Sequence, residues 1–358
     1  MTIRYGSVCS GVEAATVAWE PLGWRAQWFA EVDKFPSAVL AHRFPNVPNL
    51  GDMTGVITHE LAADIDLLVG GTPCQSFSVT GLRSGIDDER GNLALEFCRI
   101  ADAKRPRWIV WENVPGVLSS DGGRAFGSIV GALADIGYRL AWRVLDAQHF
   151  GVPQRRRRVF LVGHLGGPGN RAAEVLFEPG AGRGSAIASE GSRKDPAPAA
   201  QGGAGRGGAP VATWDPTQVT NPNNRSAVRL GKPCHTLAAA GHAPGLIYGP
   251  GFQPQRLRSD DERSGLLSLP GLAPAVPMST RARSLTPLEC ERLQGFPDEH
   301  TRAPWLGRPA WECPDGPRYK ALGNSMSVPV MRWIGERIDA VQGVSDGCDV
   351  GENIWNGV

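Results

Sequence analysis

The chain has 358 residues, of which 41% are hydrophobic and 20% charged, so it can bury one large core or two ordinary ones. Its 37 Lys and Arg balance 36 Asp and Glu, which excludes a globally basic protein. The sequence has no apolar run of transmembrane length, and residues 1–8 lack the charged-then-apolar layout of a secretion signal. Its seven cysteines, an odd number without C-x-x-C spacing, exclude a disulfide framework and a zinc cluster. We therefore expect a soluble protein of a reducing, cytoplasmic compartment.

Apolar runs that end in polar or glycine-rich residues alternate with helical patterns over residues 3–163. Six runs predict strands, and they cover 3–9, 26–31, 65–74, 107–113, 139–145 and 158–163. Helical patterns cover residues 92–103 and 124–136. This alternation predicts an α/β fold with helices on the faces of a sheet. Ligands of such sheets bind beyond the carboxyl ends of the strands, so functional residues are expected where the apolar runs stop.

Composition changes sharply after residue 165. Twelve of the 45 residues from 166 to 210 are Gly and five are Pro, which predicts a flexible insert rather than a packed element. Residues 211–282 stay Pro-rich and irregular, and their pattern supports no assignment. Positive charge concentrates in the same part of the chain, because residues 151–232 hold twelve Lys and Arg against five Asp and Glu.

Regular structure is predicted to return at Thr286. Threonine is a good helix N-cap, Pro287 suits the first helical position, and Glu289 lies where it closes a capping box. Gly295 is the expected C-terminal stop of this helix. A second helix is predicted over residues 328–341.

Two strand ends carry residues that can do chemistry. The turn at residues 70–75, Gly-Gly-Thr-Pro-Cys-Gln, follows an apolar strand and presents Cys74 at the ligand edge, although most cysteines are small buried hydrophobes. An unperturbed thiol is roughly 3% ionised at pH 7, so a nucleophile here needs activation. Glu112 ends another apolar strand, where an acid is either functional or paired with a cation, and the pattern leaves both interpretations open.

A run of four arginines precedes the last strand of this region. In an extended conformation, alternation places Gln154, Arg156 and Arg158 on one side and Arg155 and Arg157 on the other. One set would then point into a site, while the other meets solvent or phosphate.

The first two strand ends predict a ligand with an adenosine end. The first strand ends in a glycine turn at Gly11, and Glu31 ends the second strand 20 residues later. This is the spacing at which an acid meets the ribose hydroxyls of a nucleotide-like ligand. Asp52 is a further candidate. The chain has no G-x-x-x-x-G-K-[ST] phosphate loop, so a ligand without a required triphosphate fits better than ATP.

Six motifs, taken in order, resemble those of the cytosine-5 DNA methyltransferases. They are Ser10-Gly11, Pro73-Cys74-Gln75, Glu112-Asn113-Val114, Q-x-R-x-R at 154–158, Leu293-Gln294-Gly295-Phe296-Pro297 and Gly323-Asn324-Ser325. The resemblance covers about residues 3–163 and 283–335, and it implies a Rossmann-like fold of the S-adenosylmethionine-dependent methyltransferases. It also implies four regions: a catalytic and cofactor-binding domain over 1–163, an inserted irregular target-recognition region over 164–282, a returning segment that completes the catalytic domain over 283–340, and a tail over 341–358.

The resemblance implies a DNA (cytosine-5-)-methyltransferase with four catalytic residues. Cys74 would attack carbon 6 of a cytosine flipped out of duplex DNA, and Glu112 would hold or protonate ring nitrogen 3. Arg158, supported by Arg156, would bind the carbonyl oxygen and the glutamate. Carbon 5 would then take the methyl group of S-adenosylmethionine, a base would remove its proton, and Cys74 would leave. No metal is required.

The same resemblance implies two sets of binding residues. The cofactor would be held by Cys9, Gly11, Val12, Glu31, Asp52, Met53, Pro73, Leu93 and Asn324. DNA would be contacted by Gln75, Ser78, Gln154 and Arg155. The chain departs from the family at two positions, since it has Cys9 where Phe is frequent and Glu13 where Gly is frequent.

We expect a monomer that acts on double-stranded DNA in the cytoplasm of a bacterial or phage-infected cell, without a membrane or a metal. A cognate restriction endonuclease is left open as a partner. Two alternatives also stay open, because a transfer-RNA cytosine methyltransferase can share these motifs and a DNA-binding protein could keep the scaffold without catalysis. The long basic recognition region favours duplex DNA, and the intact Cys74, Glu112 and Arg158 favour an enzyme.

Overall fold

The structure is a computed structural model that describes residues 2–73, 93–167, 169–177 and 281–345, and the backbone of three short strands at 212–214, 229–230 and 245–248. The chain divides into two units. The first comprises Met1–Leu145, Arg157–Ser189 and Met326–Val358, and the second comprises Asp146–Arg156 and Glu190–Ser325. None of the helices in the described ranges is long and apolar enough to cross a membrane.

A six-stranded sheet forms the centre of the first unit. Its strands are β1 (Arg4–Val8), β2 (Arg25–Ala30), β3 (Leu67–Gly70), β4 (Trp108–Asn113), β5 (Tyr138–Asp146) and β6 (Arg157–Leu165). They lie in the order β2-β1-β3-β4-β6-β5; the first four are parallel and β6 runs antiparallel to β4. All residues of β3 and β4 are buried, as expected of strands covered on both faces. The predicted α/β fold and its six strands are therefore confirmed.

Six of the eight α-helices in the described residues lie in the first unit. They are α1 (Ala14–Trp19), α2 (Lys34–Arg43), α3 (Leu93–Lys104), α4 (Arg124–Ile136), α5 (Arg171–Leu176) and the C-terminal α8 (Val328–Ser345). The indole N–H of Trp19 in α1 donates to the carbonyl oxygen of Met331 in α8 at 2.7 Å. This hydrogen bond joins the last described helix to the helix that follows β1. Helix α8 extends to Ser345, so residues 341–345 continue the predicted last helix rather than begin a tail.

Helix α5 corrects the prediction that residues 166–210 lack a packed element. Asn170 caps it, and Ala172, Val175 and Leu176 are fully buried. Arg337 of α8 donates to the carbonyl oxygens at its C-terminal end, at 2.8 Å for Phe177. These partners lie about 160 residues away in sequence, so composition alone could not reveal them. Residues 178–210 lie outside the described residues.

The second unit contains an antiparallel sheet and two helices. Strands β7 (Ala212–Trp214), β8 (Arg229–Leu230), β9 (Gly245–Tyr248) and β10 (Arg281–Ser284) lie in the order β10-β9-β7-β8, where the sequence pattern supported no assignment. Helix α6 (Pro287–Gln294) has the predicted capping box between Thr286 and Glu289, and it ends at Gly295 with φ of 81°. Helix α7 (Asp315–Asn324) follows.

The boundary between the units lies near Met326. Residues 283–325 belong to the second unit, and the chain returns to the first unit at Met326. Buried Arg156 explains this in part, because its guanidinium donates to the carbonyl oxygens of Gly323 at 3.1 Å and Ser325 at 2.6 Å. Its own amide donates to the Asp146 carboxylate at 2.9 Å, so the segment 146–156 is bound to the end of α7. The division into catalytic, target-recognition and returning regions stays a prediction.

Gly70 permits the close approach of β3 to β1. A methyl group there would lie 2.5 Å from Val8 Cγ2 and 2.9 Å from the Val8 carbonyl oxygen. We expect Gly70→Ala to lower the free energy of unfolding by about 1–3 kcal/mol. Gly131→Ala, on the exposed side of α4 where a methyl group meets no atom within 4 Å, should raise it by about 0.5–1 kcal/mol. Urea titration followed by tryptophan fluorescence measures both, and a Gly70→Ala chain as stable as wild type would contradict this packing.

Arg156 should hold the end of α7 in place. A hydrogen bond from a charged group contributes about 1.5–3 kcal/mol, so Arg156→Met should speed amide exchange near Ser325 roughly ten- to hundredfold. The Ser325 amide, which donates to the Ala321 carbonyl at 3.1 Å, reports on this by hydrogen-exchange mass spectrometry. Arg157→Met, at an exposed neighbour, is the matched control and should leave the exchange unchanged. Equal exchange in the two variants would show that Arg156 does not fix this turn.

Candidate functional site

The turn after β1 meets the end of β2 as the sequence predicts. The Gly11 amide donates to Glu31 Oε2 at 2.7 Å, and Glu31 Oε1 accepts from the Asp33 amide at 2.7 Å. Gly11 has φ of +58°, and a methyl group on it would meet no heavy atom within 4 Å. The carboxyl edge of β1 and β2 therefore offers open space beside a fixed carboxylate.

Cys9 lies close to the other residues predicted at this edge. Its Sγ lies 3.6 Å from Met53 Sδ, and burial, with added repulsion from Glu31 and Asp52, raises the pKa of its thiol to about 12. Cys9 is therefore a neutral packing group and not a second nucleophile. Asp52 is exposed and accepts from the Thr54 amide at 2.9 Å, capping the turn that carries buried Met53.

Three further residues border this edge. Val12 is fully buried, and half-buried Leu93, at the start of α3, packs with Cys9 against the core of the first unit. Val32 was not predicted from the sequence, and its apolar side chain is 69% exposed directly after Glu31. Its position one residue beyond the strand-end acid is the signal that could have identified it, because an exposed aliphatic group there offers contact to a flat apolar ligand.

The ends of β3 and β4 are bound together around Thr72. The Trp111 indole donates to Thr72 Oγ1 at 2.9 Å, and Asn113 Nδ2 donates to the Thr72 carbonyl oxygen at 2.9 Å. This bonding fixes the chain just before exposed Pro73. The next residue is Cys74, which lies outside the described residues together with Gln75 and Ser78. The positioning roles of Thr72 and Trp111 were not predicted from the sequence.

Glu112 and Arg158 form the charged pair of this site. Arg158 Nε lies 3.2 Å from Glu112 Oε1, and the side chains are only 16% and 9% exposed. The pair forms because Glu112 in β4 lies opposite Phe160 in antiparallel β6. Arg158 precedes Phe160 by two residues, so its side chain lies on the same face of the sheet as those of Phe160 and Glu112. A methyl group on Gly71 would lie 3.2 Å from Glu112 Oε2, so the carboxylate borders the segment that leads to Cys74.

The predicted alternation of residues 154–158 is confirmed. Gln154 and Arg156 are buried and Arg158 is half-buried, whereas Arg155 and Arg157 are exposed. Gln154 is fully buried, and the Arg156 guanidinium donates to the carbonyl oxygens of Gly323 and Ser325 and so positions the turn between them. That turn carries exposed Asn324. The contact of Gln154 with DNA and the support of Arg158 by Arg156 stay predictions.

No cluster of three or more His, Cys, Asp or Glu able to hold a metal ion occurs among the residues described.

Comparison with known proteins agrees with this geometry. The family model "C-5 cytosine-specific DNA methylase" matches residues 3–179 and 229–340. The "DNA N-6-adenine-methyltransferase" of Escherichia phage P1 is 37% identical over 460 aligned positions, which cover 93% of this chain. This chain spans 61% of the length of that relative.

Two other proteins complete the comparison. "Type II methyltransferase M.NlaX" of Neisseria lactamica is 30% identical over 90% of this chain and 91% of its own length. The crystal structure of S. pombe Dnmt2 methyltransferase shares the fold, with a TM-score of 0.59, 17% identity, and coverage of 95% of this chain and 99% of that one. Because the family model matches well over half of the sequence, the chain belongs to the C-5 cytosine-specific DNA methylase family.

Proposed function

We propose that the chain is a DNA cytosine-5 methyltransferase that transfers the methyl group of S-adenosylmethionine to a flipped-out cytosine in duplex DNA. One observation carries this proposal: the Glu112–Arg158 pair, 3.2 Å apart, borders the Gly71–Pro73 segment that leads to Cys74. An acid that can bind ring nitrogen 3, a cation that can bind the neighbouring carbonyl oxygen, and a thiol that can reach carbon 6 are the three groups that activation of cytosine needs.

The residues at the ends of β1 and β2 fit the cofactor. Glu31 can accept the ribose hydroxyls, Asp52 an adenine amino group, and the open side of Gly11 leaves room for the methionine part. Exposed Val32 and half-buried Leu93 offer apolar surface to the adenine ring. When bound, S-adenosylmethionine supplies an electrophilic methyl group. Pro73 and Asn324 stay proposals for the same site.

The chemistry follows from the poor nucleophilicity of cytosine carbon 5. The Cys74 thiolate adds to carbon 6, and the electron pair of the ring double bond becomes available at carbon 5. Glu112 holds or protonates nitrogen 3, and Arg158 binds the carbonyl oxygen, so negative charge does not accumulate on the ring. After methylation a base removes the carbon 5 proton and the carbon 5–carbon 6 double bond re-forms. The bond from carbon 6 to sulfur breaks, so that Cys74 leaves as the thiolate, and a proton taken up by nitrogen 3 returns to Glu112.

The DNA must present its cytosine outside the helix. Stacked neighbours cover both faces of a paired base, and addition at carbon 6 comes from a face, so the base is flipped into the site. Exposed Arg155 and the basic residues of 151–232 can bind phosphates, which position a protein without reading sequence. Gln75 and Ser78 stay proposed contacts to the DNA.

The cellular setting is proposed from the relatives. A Type II methyltransferase among them favours work alongside a restriction endonuclease, and bacterial and phage sources favour the cytoplasm. We propose that the chain acts as a monomer, because one chain holds the acid, the cation, the thiol and the cofactor edge.

Adenine methylation is the second candidate, because the phage P1 relative is named for it. That relative extends well beyond the matched 61% of its length, so its name does not fix the reaction of the matched part. Transfer to the adenine amino group needs no thiol, whereas this chain has Cys74 directly after the Gly71–Pro73 segment that Glu112 borders. We therefore favour cytosine. Transfer-RNA methylation and non-catalytic DNA binding are separated by the same experiment.

We expect the purified chain with S-adenosylmethionine to form 5-methyl-2′-deoxycytidine in unmethylated duplex DNA, identified by mass spectrometry of the digested nucleosides. Cys74→Ala should abolish this product while leaving cofactor affinity within a few-fold, since the nucleophile lies on a different strand end from the adenosine site. Cys98→Ala, at a buried packing cysteine of α3, is the matched control and should retain the reaction.

Each other outcome identifies an alternative. N6-methyl-2′-deoxyadenosine would favour the adenine reaction, and 5-methylcytidine in bulk transfer RNA but not in DNA would favour the RNA enzyme. DNA binding without any methylated nucleoside would indicate a non-catalytic scaffold. Residual activity of Cys74→Ala near the wild-type rate would remove Cys74 from its role.

A further inference from the structure

Glu13 lies at the end of the turn that borders the cofactor edge, where the family frequently has glycine. Its backbone is left-handed, with φ of 63° and ψ of 66°, a conformation that favours glycine and is uncommon for other residues. Its side chain is 1% exposed. A buried acid in a strained conformation needs compensating interactions, and the structure supplies them.

Hydrogen bonds connect every third residue from Ser7 to Thr16. Ser7 Oγ donates to Glu13 Oε2 at 2.9 Å, and the Thr16 amide donates to Glu13 Oε1 at 3.2 Å. The Glu13 amide donates to the Ser10 carbonyl oxygen at 3.0 Å, and Ser10 Oγ donates to the Ser7 carbonyl oxygen at 3.0 Å. These bonds, together with the Gly11–Glu31 bond, hold residues 9–12, here called the cofactor turn.

The surroundings of Glu13 place the titration of its carboxyl group near neutral pH. Burial, with added repulsion from Glu31, raises the pKa of this carboxyl from 4.5 to about 7, although the Ser7 and Thr16 bonds lower it. Strand β1 faces Glu13 with Ser7 and with Tyr5, whose hydroxyl donates to Thr16 Oγ1 at 2.8 Å. Helix α8 packs on α1 through Met331 and through Gly335, which adjoins Trp19.

We propose that Glu13 is a positioning residue for the cofactor turn, and that its ionised carboxylate is the form that binds S-adenosylmethionine. The ionised group accepts from Ser7 and Thr16 at the same time, whereas a protonated carboxyl has one oxygen that must donate. The sulfonium cation of the cofactor also favours an anion beneath the turn. This inference rests on the proposed function, because it assumes that the turn at Gly11 receives S-adenosylmethionine.

The test is the pH dependence of cofactor affinity, measured by calorimetry on the full chain without DNA. Binding that requires loss of a proton with a midpoint near pH 7 weakens about tenfold from pH 8 to pH 6, because only the ionised fraction binds. Glu13→Gln keeps the shape of the side chain but replaces the titratable carboxyl group by a neutral amide. Titration of the ligand itself is common to both proteins, so the wild-type ratio of Kd at pH 6 to Kd at pH 8 should exceed the Glu13→Gln ratio about tenfold.

Two further variants make the result specific. Glu20→Gln, at an exposed glutamate just after α1, is the matched control and should keep the wild-type pH profile. Ser7→Ala removes the hydroxyl that donates to Glu13, so the midpoint should move to higher pH. This second variant decides the question if Glu13→Gln does not fold, as judged by circular dichroism.

The failures of the two proposals are distinguishable. Parallel pH profiles in wild type and Glu13→Gln, or an unmoved midpoint in Ser7→Ala, would overturn the role of Glu13 and leave the proposed function intact. A wild-type chain that binds no S-adenosylmethionine at any pH would contradict the proposed function and, with it, this inference.

Discussion

The pairing of β1 with β2 and β3, of β3 with β4, and of β4 with antiparallel β6 is the constraint on which the site depends. Parallel strands end at the same edge of a sheet, so the sheet brings residues that are far apart in sequence together there. Gly11 and Glu31 meet at the first two ends, and Thr72 and Asn113 meet at the next two. Each of these contacts joins one strand end to its neighbour.

The two buried carboxyl groups at this edge, Glu112 and Glu13, are stabilised in different ways. Glu112 is paired with Arg158 at 3.2 Å, which compensates the removal of both charges from water. Glu13 is instead held by two neutral donors, Ser7 and the Thr16 amide, and burial leaves its carboxyl with a pKa of about 7. In the proposed reaction, the first arrangement holds a fixed charged pair beside the cytosine. In our further proposal, the second leaves a carboxyl whose charge depends on pH and on the bound cofactor.

Short-range sequence patterns predicted the features that depend mainly on neighbouring residues. Hydrophobic runs located the six strands, the capping box located α6, and alternation gave the burial of residues 154–158. The rest depends on partners far away in sequence. Arg337 stabilises α5 from about 160 residues away, and Arg156 binds carbonyl oxygens more than 165 residues further along, so neither the packed helix nor the boundary near 326 could be predicted locally. Glu13 was noticed only as a departure from glycine; its function required the geometry.

Covalent trapping tests the central claim most directly. Duplex DNA in which 5-fluoro-2′-deoxycytidine replaces the target deoxycytidine blocks the release of Cys74. This release requires a base to remove a proton from carbon 5, and a base cannot remove the fluorine that takes the place of that proton. With S-adenosylmethionine, we predict a complex that survives denaturation, in which mass spectrometry finds the methylated base joined to Cys74. A complex joined to a different cysteine, or DNA methylated at carbon 5 by a chain that forms no adduct, would contradict the account.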